Sequence, residues 1–544
     1  MTKTRLIALI LVLLLSAQVK ADITVTDTND SGAGSLRAAI LAAAAGDTIQ
    51  FASSLAGKTI TLASTLPSIT KPLTIVGLGA SQLTIDDENR NSTVFTITAN
   101  GTATISGLTI TSSGLTLDGG GIYNAGSLAV RDCVLSANDA VAGGGIYFDG
   151  EYGGTMTVTS SVFSGNSASF GGGIYYSGTS GGTDSLTVTD CVFSGNSSGI
   201  YTAGTATISG CSFTGNTFCG IRNYEDKLTV THSTLSGNTG GGIHNDGGTL
   251  VVNDSTIAQN SAEFGGGIYN NDGGTLVVND STIAQNSASN AGGGIDNKAN
   301  ATLWNTIVAD NHNGTSPDIY SDIYNSLTVS YCLVGNTLGA TISSLTNILN
   351  TSPDIAWLGS YGGPTMPDGT TMLTAPPLPG SPAIDKGSNA LIPSGLTTDQ
   401  RGLPRIANGR VDIGACEYQP VLRPMTVDLN HDGIPNFYDF SIFATFWQNA
   451  SCSPPDWCDG SDFDKNGIVD IYDLQIFAEF WLWPVADVDM DGAVNFTDYA
   501  IFAHNWTDDT CCDPNWCEGT DFDHSGSVDM LDLATFTEYW LEGI

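Results

Sequence analysis

The chain has few positively charged residues. Its 544 residues include 17 Lys and Arg against 55 Asp and Glu, which gives a formal net charge of −38. Phosphate backbones and anionic lipid surfaces repel a chain of this charge. We therefore expect no nucleic-acid partner, and the charge favours cations or neutral polymers as ligands.

Long hydrophobic runs are also scarce. The run Leu6–Leu15 follows Lys3 and Arg5 and precedes the small-residue site that ends at Ala21. This order is typical of a secretory signal peptide, and the run is too short for a comfortable membrane span. We expect residues 1–21 to be removed, and the mature chain to be secreted, extracellular or at the cell surface without a transmembrane segment.

The chain between Asp118 and Asn311 lacks the 3.6-residue periodicity of helices, and Thr, Val and Gly dominate it. Instead, one pattern recurs every 20–30 residues: a Gly-rich opening such as GGGIYN, a short alternating run, and a closing Asn. A fixed period of this size indicates a stacked repeat array. The closing residues are Asn138, Asn166, Asn196, Asn216, Asn238, Asn260, Asn286 and Asn311.

The residues before each closing Asn repeat by position. A large apolar residue lies three places before it, as at Phe193, and a small one lies five places before it, as at Cys191. Apolar residues also lie eight and ten places before it, as at Val188 and Leu186. This spacing predicts two short strands joined by a turn, and the Gly-rich segment supplies a corner and a third strand. We predict a mainly β fold, a right-handed parallel β-helix.

The segments that flank the repeats differ from them. Residues 22–101 are expected to form an N-terminal cap and irregular first coils, with a short helix over Gly34–Ala44 that Ser35 caps. Residues 102–344 hold the repeats, and residues 345–420 are expected to close the C-terminal end. There we predict ion pairs between the basic and acidic residues Arg401, Arg405, Arg410, Asp385, Asp399 and Asp412.

Three groups of motifs resemble known families. The stretches VTDTNDSGAGSLRAAI (25–40) and ISGLTIT (105–111) are similar to the opening of secreted bacterial β-helix proteins. The GGGI and FSGN repeats resemble those of polymorphic outer-membrane proteins. GSPAID (380–385), DQRG (399–402) and DIGA (412–415) resemble the end of choice-of-anchor surface proteins. The resemblance covers residues 22–418 and implies interchangeable C-terminal attachment, but it assigns no reaction.

Four acidic segments after residue 424 share one spacing. Oxygen-bearing side chains occupy places 1, 3, 5, 9 and 12, and Gly occupies place 6. This arrangement wraps a hard cation, because the loop turns sharply at the Gly and the last carboxylate can bind through both oxygens. We predict Ca²⁺ as the bound ion. The predicted ligands are Asp428, Asn430, Asp432, Asn436, Asp439, Asp462, Asp464, Asn466, Asp470, Asp473, Asp487, Asp489, Asp491, Asn495, Asp498, Asp521, Asp523, Ser525, Asp529 and Asp532.

An apolar stripe follows each loop at helical spacing, as at Phe440, Phe443, Ala444 and Trp447. With Asp at place 12, residues 424–544 resemble four type I dockerin repeats, a small α-helical, EF-hand-like array arranged as two pairs. That resemblance implies a cohesin-like protein partner. Places 10 and 11 depart from the usual Ser-Thr, as at Phe437-Tyr438. The array could therefore also dock on another anchor or fold back on the β-helix, and these alternatives stay open. We expect folding of the array to require Ca²⁺.

A small insertion flanked by two Cys residues lies in the first pair of loops, and a similar one lies in the second pair. Cys452 and Cys458 recur 59 residues later as Cys511 and Cys517, with Cys512 as an extra residue. In an exported protein this pattern favours local disulfides.

Catalytic residues are harder to find. A column of Asp residues lies six places before the closing Asn, and its members Asp132, Asp190, Asp254 and Asp280 are weak catalytic candidates. A glycoside hydrolase needs two carboxylates that face each other across a sugar. The same positions fall in the predicted turn, where Asp satisfies its own backbone. Turn formation is therefore the favoured interpretation of this column.

We expect an exported, calcium-binding β-helix protein that binds or scaffolds polysaccharide or a cell-surface component and is attached by its dockerin-like module. The alternative is a polysaccharide-degrading enzyme, a lyase or glycoside hydrolase, that carries a dockerin. A third hypothesis is a purely structural surface-layer or adhesive protein.

Overall fold

The computed structural model describes residues 22–418 apart from 89–91, 180, 272, 323–324, 379 and 408. Beyond 418 it describes residues 429, 437–452, 458, 461–463, 468–470, 473–474, 477, 496–506, 520, 527–528, 532–533 and 536. The chain divides into two compact units, one of Met1–Pro377 with Pro382–Glu417 and one of Leu378–Ser381 with Tyr418–Ile544. The predicted signal peptide, residues 1–21, lies outside the described residues.

The first unit is a parallel β-solenoid whose coils contribute one strand to each of three sheets, here called sheets A, B and C in chain order within a coil. Sheet A has 13 strands: Asp22–Val25, Thr48–Phe51, Leu73–Val76, Thr102–Ser106, Ser127–Arg131, Thr155–Thr159, Ser185–Thr189, Ala206–Ser209, Lys227–Thr231, Thr249–Asn253, Thr275–Asn279, Asn300–Trp304 and Leu327–Ser330.

Sheet B also has 13 strands: Lys58–Thr61, Leu83–Asp86, Thr109–Thr111, Val134–Ser136, Val162–Ser164, Val192–Ser194, Ser212–Thr214, Thr234–Ser236, Thr256–Ala258, Thr282–Ala284, Ile307–Ala309, Leu333–Val334 and Ile348–Leu349. Sheet C has 10 strands: Phe95–Ile97, Ile122–Asn124, Ile146–Asp149, Ile174–Ser177, Ile200–Thr202, Ile221–Tyr224, Ile243–Asp246, Ile268–Asn270, Ile295–Asn297 and Ile319–Ser321. Two short parallel pairs lie at the corner before sheet C, Thr116–Asp118 with Ala140–Ala142 and Ser261–Phe264 with Ser287–Ala291.

The interior is filled by the side chains that the repeat pattern assigns to it. Leu186, Val188 and Phe193 are at most 1% exposed, and their counterparts in the other coils are equally buried. Strand neighbours are in register, so identical side chains stack: the ring of Phe193 lies 4.7 Å from those of Phe163 and Phe213, centroid to centroid. The predicted β-helix pattern is therefore confirmed for the described coils.

The closing Asn of every repeat is buried in a continuous hydrogen-bonded ladder. Each side-chain amide nitrogen donates to the amide oxygen of the Asn in the next coil at 2.8–3.1 Å. Each also donates to a backbone carbonyl of the preceding coil, as Asn238 does to Phe213. The ladder ends where Asn311 donates to the Asp318 carboxylate at 2.9 Å. The repeated Asn therefore satisfies the backbone of the turn after sheet B.

The Gly triplets form the corner before sheet C. The first Gly of five triplets has a positive φ, which a side chain would strain: Gly119, Gly143, Gly171, Gly265 and Gly292. At Gly145, the third of its triplet, an added Cβ would meet the carbonyl oxygen of Gly173 at 2.6 Å. Only Gly lets neighbouring coils approach this closely.

A short helix covers the N-terminal end of the solenoid core. It spans Leu36–Ala42, and the Ser35 hydroxyl accepts a hydrogen bond from the backbone N–H of Ala38 at 3.2 Å. Leu36 and Ile40 face the apolar core, which confirms the predicted cap helix. Short 3₁₀ turns lie at Ser53–Leu55, Gly150–Tyr152 and Asn389–Leu391.

The segment after the last coil returns along the outer face of sheet B. The Thr234 hydroxyl donates to the carbonyl of Leu373 at 2.6 Å, and the Gln400 amide donates to the carbonyl of Ser233 at 3.1 Å. The backbone N–H of Ala415 donates to the Thr282 hydroxyl at 3.0 Å. The sequence suggested closure of the C-terminal end, whereas these contacts reach back over several coils, because the outer side chains of sheet B are small enough to be covered.

The second unit contains two described helices, Phe437–Thr445 and Phe496–His504, which begin within the last three places of the first and third predicted calcium loops. The ring of Phe443 lies 5.3 Å from that of Phe477, and that of Phe502 lies 5.2 Å from that of Phe536. A disulfide joins Cys452 and Cys458, as predicted for the first insertion. In the described part of the chain no helix is both long and apolar enough to cross a membrane.

We expect Asn238→Ala to lower the free energy of unfolding by about 2–5 kcal/mol, because it leaves several buried polar groups without partners. The lost bonds join Asn238 to Phe213, to Asn260, and to the side chain and backbone of Asn216. Denaturant unfolding of the full chain measures the effect. Asn290→Ala, on an exposed residue, is the control, and an equal loss in both variants would contradict a structural role for the ladder.

Candidate functional site

The predicted Asp column lies in the turn between sheets A and B. Asp132, Asp190, Asp254 and Asp280 have φ values of 46–53°, in the left-handed region that Asp tolerates in turns. His232 occupies the same place in its coil, with φ of 49°. The column is therefore part of the corner that joins two strands in each coil.

Two members of this column lie beneath the returning segment. Asp254 and Asp280 are fully buried, and so is Arg405 from that segment. The guanidinium lies 3.7 Å from Asp254, 3.3 Å from Asp280 and 3.6 Å from Glu417. The imidazole of His232 lies 3.0 Å from Asp254. These residues form the Arg405 cluster: Arg405, Asp254, Asp280, Glu417 and His232.

The predicted ion pairs of the returning segment are formed only in part. Arg401 pairs with Asp399 at 2.7 Å, as expected. Arg405 instead contacts Asp residues of the solenoid, and Arg410 donates to the backbone carbonyls of Gly387 and Lys386. Arg405 differs from the expectation because its part of the segment packs onto the turn column of the solenoid.

Burial dominates the electrostatics of the Arg405 cluster. It raises the pKa of Asp254 to about 6 and, together with the Asp412 carboxylate, the pKa of Glu417 to about 8. Burial also raises the pKa of Asp280, against the opposing effect of Arg405. The cluster holds more carboxylates than cations, so one buried guanidinium is shared among three of them.

The predicted calcium ligands lie largely outside the described residues. Of the described ones, Asp439, Asp473 and Asp532 hold place 12 of three loops and are fully buried, and Asp462, at place 1 of the second loop, is 1% exposed. The backbone N–H of Asp470 donates to the carboxylate of Asp473 at 2.9 Å. Among the described residues no three His, Cys, Asp or Glu side chains are arranged to hold a metal ion.

A column of aromatic side chains runs along the outer face of sheet C. Tyr123, Tyr147, Tyr175 and Tyr201 occupy the same register position in four consecutive coils. Their rings are half-buried and lie 5.5, 5.1 and 5.1 Å apart, centroid to centroid. In the next five coils the same register position is occupied by Arg222, His244, Tyr269, Asp296 and Tyr320. We call the first four residues the tyrosine column.

Exposed apolar side chains border the tyrosine column. Leu117, Val141, Phe170 and Phe218 lie at the corner before sheet C and are 39–78% exposed. We call them the apolar ledge. Phe170 meets the ring of Tyr201 edge-on at 5.8 Å. A cavity of about 330 Å³ lies beside these residues, and its lining includes Phe170, Tyr201, Phe218, Arg222 and His244.

The charges of this face are paired within it. Arg222 donates to Asp246 at 2.6 Å, and its guanidinium carbon lies 5.5 Å from the ring centroid of Tyr201. Lys298 lies 3.5 Å from Asp296, whose pKa burial raises to about 6. The Tyr123 hydroxyl donates to Asp149 at 2.9 Å. The face therefore presents aromatic rings, hydroxyls and compensated ion pairs.

The repeated GGGIY contains the signal for the tyrosine column. Its Gly residues and Ile predict a corner and a strand start, and that prediction uses no property of the residue after Ile. In-register stacking places that residue on the outer face of every coil, so a Tyr in successive repeats predicts a continuous strip.

We expect Glu417→Gln to reduce the pH dependence of stability. The pKa of Glu417 in the folded protein, about 8, is higher than its ordinary value of 4.5. A protonated Glu417 therefore stabilises the fold below about pH 4.5, and this contribution is lost as the pH rises through 8. Denaturation midpoints of the full chain between pH 4.5 and 8 should fall more steeply for the wild type than for E417Q.

The control for this measurement is Glu263→Gln, which removes an exposed carboxylate from another part of the solenoid. E263Q should follow the wild-type profile. Parallel profiles for the wild type and E417Q would show that Glu417 does not hold a proton in the folded protein.

Two family models match parts of the chain. The right handed beta helix region matches residues 179–336, and the periplasmic copper-binding protein (NosD) model matches residues 51–227. Copper in proteins is held by imidazole and by thiolate or thioether ligands. Among the described residues no three His, Cys, Asp or Glu side chains lie together, so no copper site built from imidazole and thiolate ligands is found there. No curated protein matches the chain in sequence.

Several solved structures are similar to this chain at low identity. The pectate lyase Pel9A is 15% identical to this chain, with a TM-score of 0.43. The match covers 74% of this chain and 98% of the Pel9A chain. The alginate lyase AlyGC is 14% identical with a TM-score of 0.35, covering 65% of this chain and 55% of its own. The A-module of the Azotobacter vinelandii mannuronan C-5 epimerase AlgE4 is 15% identical with a TM-score of 0.32, covering 59% of this chain and 100% of its own. The stacked parallel coils and the two matched models make this chain a right-handed β-helix protein.

Proposed function

We propose that this chain is an exported protein that binds a neutral polysaccharide along the outer face of sheet C and is held in place by a calcium-dependent C-terminal module. The observation that carries the first part is the tyrosine column beside the apolar ledge. Rings in a continuous row, half-exposed and bordered by apolar side chains, form a surface that soluble proteins use for binding.

The chemistry of the tyrosine column suits sugars. A pyranose ring has an apolar face of C–H groups and an edge of hydroxyls, and Tyr offers an apolar ring with a hydroxyl at its end. The coils repeat about every 4.8 Å along the solenoid, so successive rings lie in line for a polymer rather than for a compact ligand. We call the tyrosine column together with the apolar ledge the groove, and it runs parallel to the solenoid axis for the same reason.

Electrostatics favour a neutral polymer. The two described cations of the face, Arg222 and Lys298, each have a carboxylate partner. Asp118 adds an exposed acidic side chain, and burial and the Asp149 carboxylate raise its pKa. With a chain charge of −38, a polyuronate would meet net repulsion in this groove.

Support for the calcium-dependent module comes from buried carboxylates. Asp439, Asp473 and Asp532 are fully buried, and from Pro424 onward the sequence holds 24 acidic residues and one basic residue, Lys465. The excess of acidic residues in this segment favours a bound cation, which Ca²⁺ at the predicted loops would supply. The module would dock on a cohesin-like protein or another surface anchor.

We expect Tyr147→Ala and Tyr175→Ala each to weaken binding of a neutral polysaccharide about tenfold, since each removes about 1.4 kcal/mol of ring contact. Affinity electrophoresis and calorimetry with a panel of neutral glycans, run at two salt concentrations, measure the loss. Binding should not depend on salt, because the ligand is uncharged.

Trp357→Ala is the control, since Trp357 is an aromatic residue that is 67% exposed on the returning segment. W357A should bind as the wild type does. Unchanged affinity in both Tyr variants would refute the groove, and release of reducing or unsaturated sugar ends during incubation would indicate an enzyme instead.

We expect Ca²⁺ removal by EDTA to unfold residues 424–544 while the solenoid persists, because the acidic loops then repel one another. Asp439→Asn and Asp473→Asn should each raise the Ca²⁺ concentration needed for folding. Trp fluorescence followed during Ca²⁺ titration measures the transition. Asp456→Asn, at a position outside the loop pattern, is the control, and a fluorescence signal insensitive to EDTA would contradict the module.

A further inference from the structure

The cavity beside the tyrosine column differs from the rest of the groove. Phe170 and Phe218 of the apolar ledge line it together with Tyr201, and Arg222 and His244 add nitrogen-bearing side chains. Phe218 is 59% exposed, so it borders the cavity without being fixed in the core. At about 330 Å³ the cavity is smaller than most drug-sized sites and fits one substituent or ring of a polymer.

Sequence and backbone geometry build this cavity at one level of the solenoid. Tyr201, Arg222 and His244 are register neighbours in three consecutive coils. Phe218 approaches from the corner, where a Cβ at Gly240 would overlap its carbonyl oxygen. Gly240 therefore allows the ledge to fold close over the strands, and the cavity forms between them.

The cavity offers hydrogen-bond donors with little net charge. Arg222 is held by Asp246, and Asn271 in turn donates to Asp246 at 3.3 Å. Burial lowers the pKa of His244, so its imidazole is neutral near pH 7. The Nε2 atom of His244 is buried and makes no hydrogen bond within the described residues. A buried nitrogen of this kind is costly unless a ligand group pairs with it.

We infer that this cavity binds the acetyl group of an acetylated sugar residue. The methyl group would pack against Phe170 and Phe218, and the carbonyl oxygen would accept hydrogen bonds from Arg222 and His244. Because Arg222 is already paired with Asp246, the cavity offers neither an ammonium nor a carboxylate an unpaired counter-charge. An unmodified hydroxyl would leave the aromatic walls without an apolar partner. The inference rests on the proposed polysaccharide groove and specifies the chemical class of its ligand.

The test uses the full chain with Ca²⁺ and three β-1,4-linked hexasaccharides that differ only at carbon 2: N-acetylglucosamine, glucosamine and glucose. We expect the N-acetylated oligomer to bind at least tenfold tighter than the other two. Acetylated mannan against the same polymer after alkaline deacetylation tests an ester in place of the amide. A preference for either acetylated ligand over its deacetylated partner supports the cavity as an acetyl site.

Two variants locate the preference. Phe218→Ala removes one wall and Arg222→Gln removes the guanidinium, and both should reduce the ratio of acetylated to deacetylated affinity to near one. Leu338→Ala is the matched control, because Leu338 is an apolar residue that is 59% exposed and lies outside both the apolar ledge and the cavity lining. L338A should keep the wild-type ratio. Far-UV circular dichroism checks that the variants fold.

The outcomes separate this inference from the proposed function. Glycan binding that depends on Tyr147 and Tyr175 but is equal for acetylated and deacetylated ligands would refute the acetyl site and leave the groove intact. A preference that survives in both F218A and R222Q would also refute it. Failure of every glycan to bind would overturn the groove and the acetyl site together.

Discussion

In-register stacking of the coils is the constraint on which the solenoid depends. Each coil must place its backbone groups opposite those of the next coil, and the buried Asn ladder satisfies the turn after sheet B, where strand pairing ends. A coil that shifted by one residue would break ladder bonds above and below it, and it would turn its apolar side chains to solvent. The repeat length can therefore vary only at the corners, where inserted residues leave the register unchanged.

The same stacking converts each sequence position into a column on the surface. One column, between sheets A and B, carries Asp residues, and the returning segment buries two of them under Arg405. Another column, on sheet C, carries tyrosines that stay half-exposed beside the apolar ledge. In-register stacking thus produces both columns, but the Asp column is partly buried in a structural contact, whereas the tyrosine column is half-exposed and is a candidate ligand-binding surface.

The chain tolerates its acidic composition by two different means. In the solenoid, the carboxylates of the Arg405 cluster share one buried guanidinium, and one of them, Glu417, also has a raised pKa and so keeps its proton up to about pH 8. In the C-terminal module cations are scarce, and a divalent metal is the compensation that the loop pattern predicts. The neutral polymer that we propose as the ligand is consistent with both the composition and the paired charges of this face.

The sequence by itself determined the parallel coil and the inward Leu, Val and Phe, because these follow from local spacing that repeats in every coil. The cap helix followed from the apolar pattern after Ser35. The sequence marked the recurring Asn, but not the buried ladder that it forms. It also predicted local disulfides from the recurring pairs of Cys, and the Cys452–Cys458 bridge is one of them. Only the tertiary structure decided that the returning segment lies on sheet B and that Arg405 contacts Asp254 and Asp280, more than a hundred residues earlier. The cavity between Phe218 and Arg222 likewise depends on how corner and strand meet in space, which no local pattern encodes.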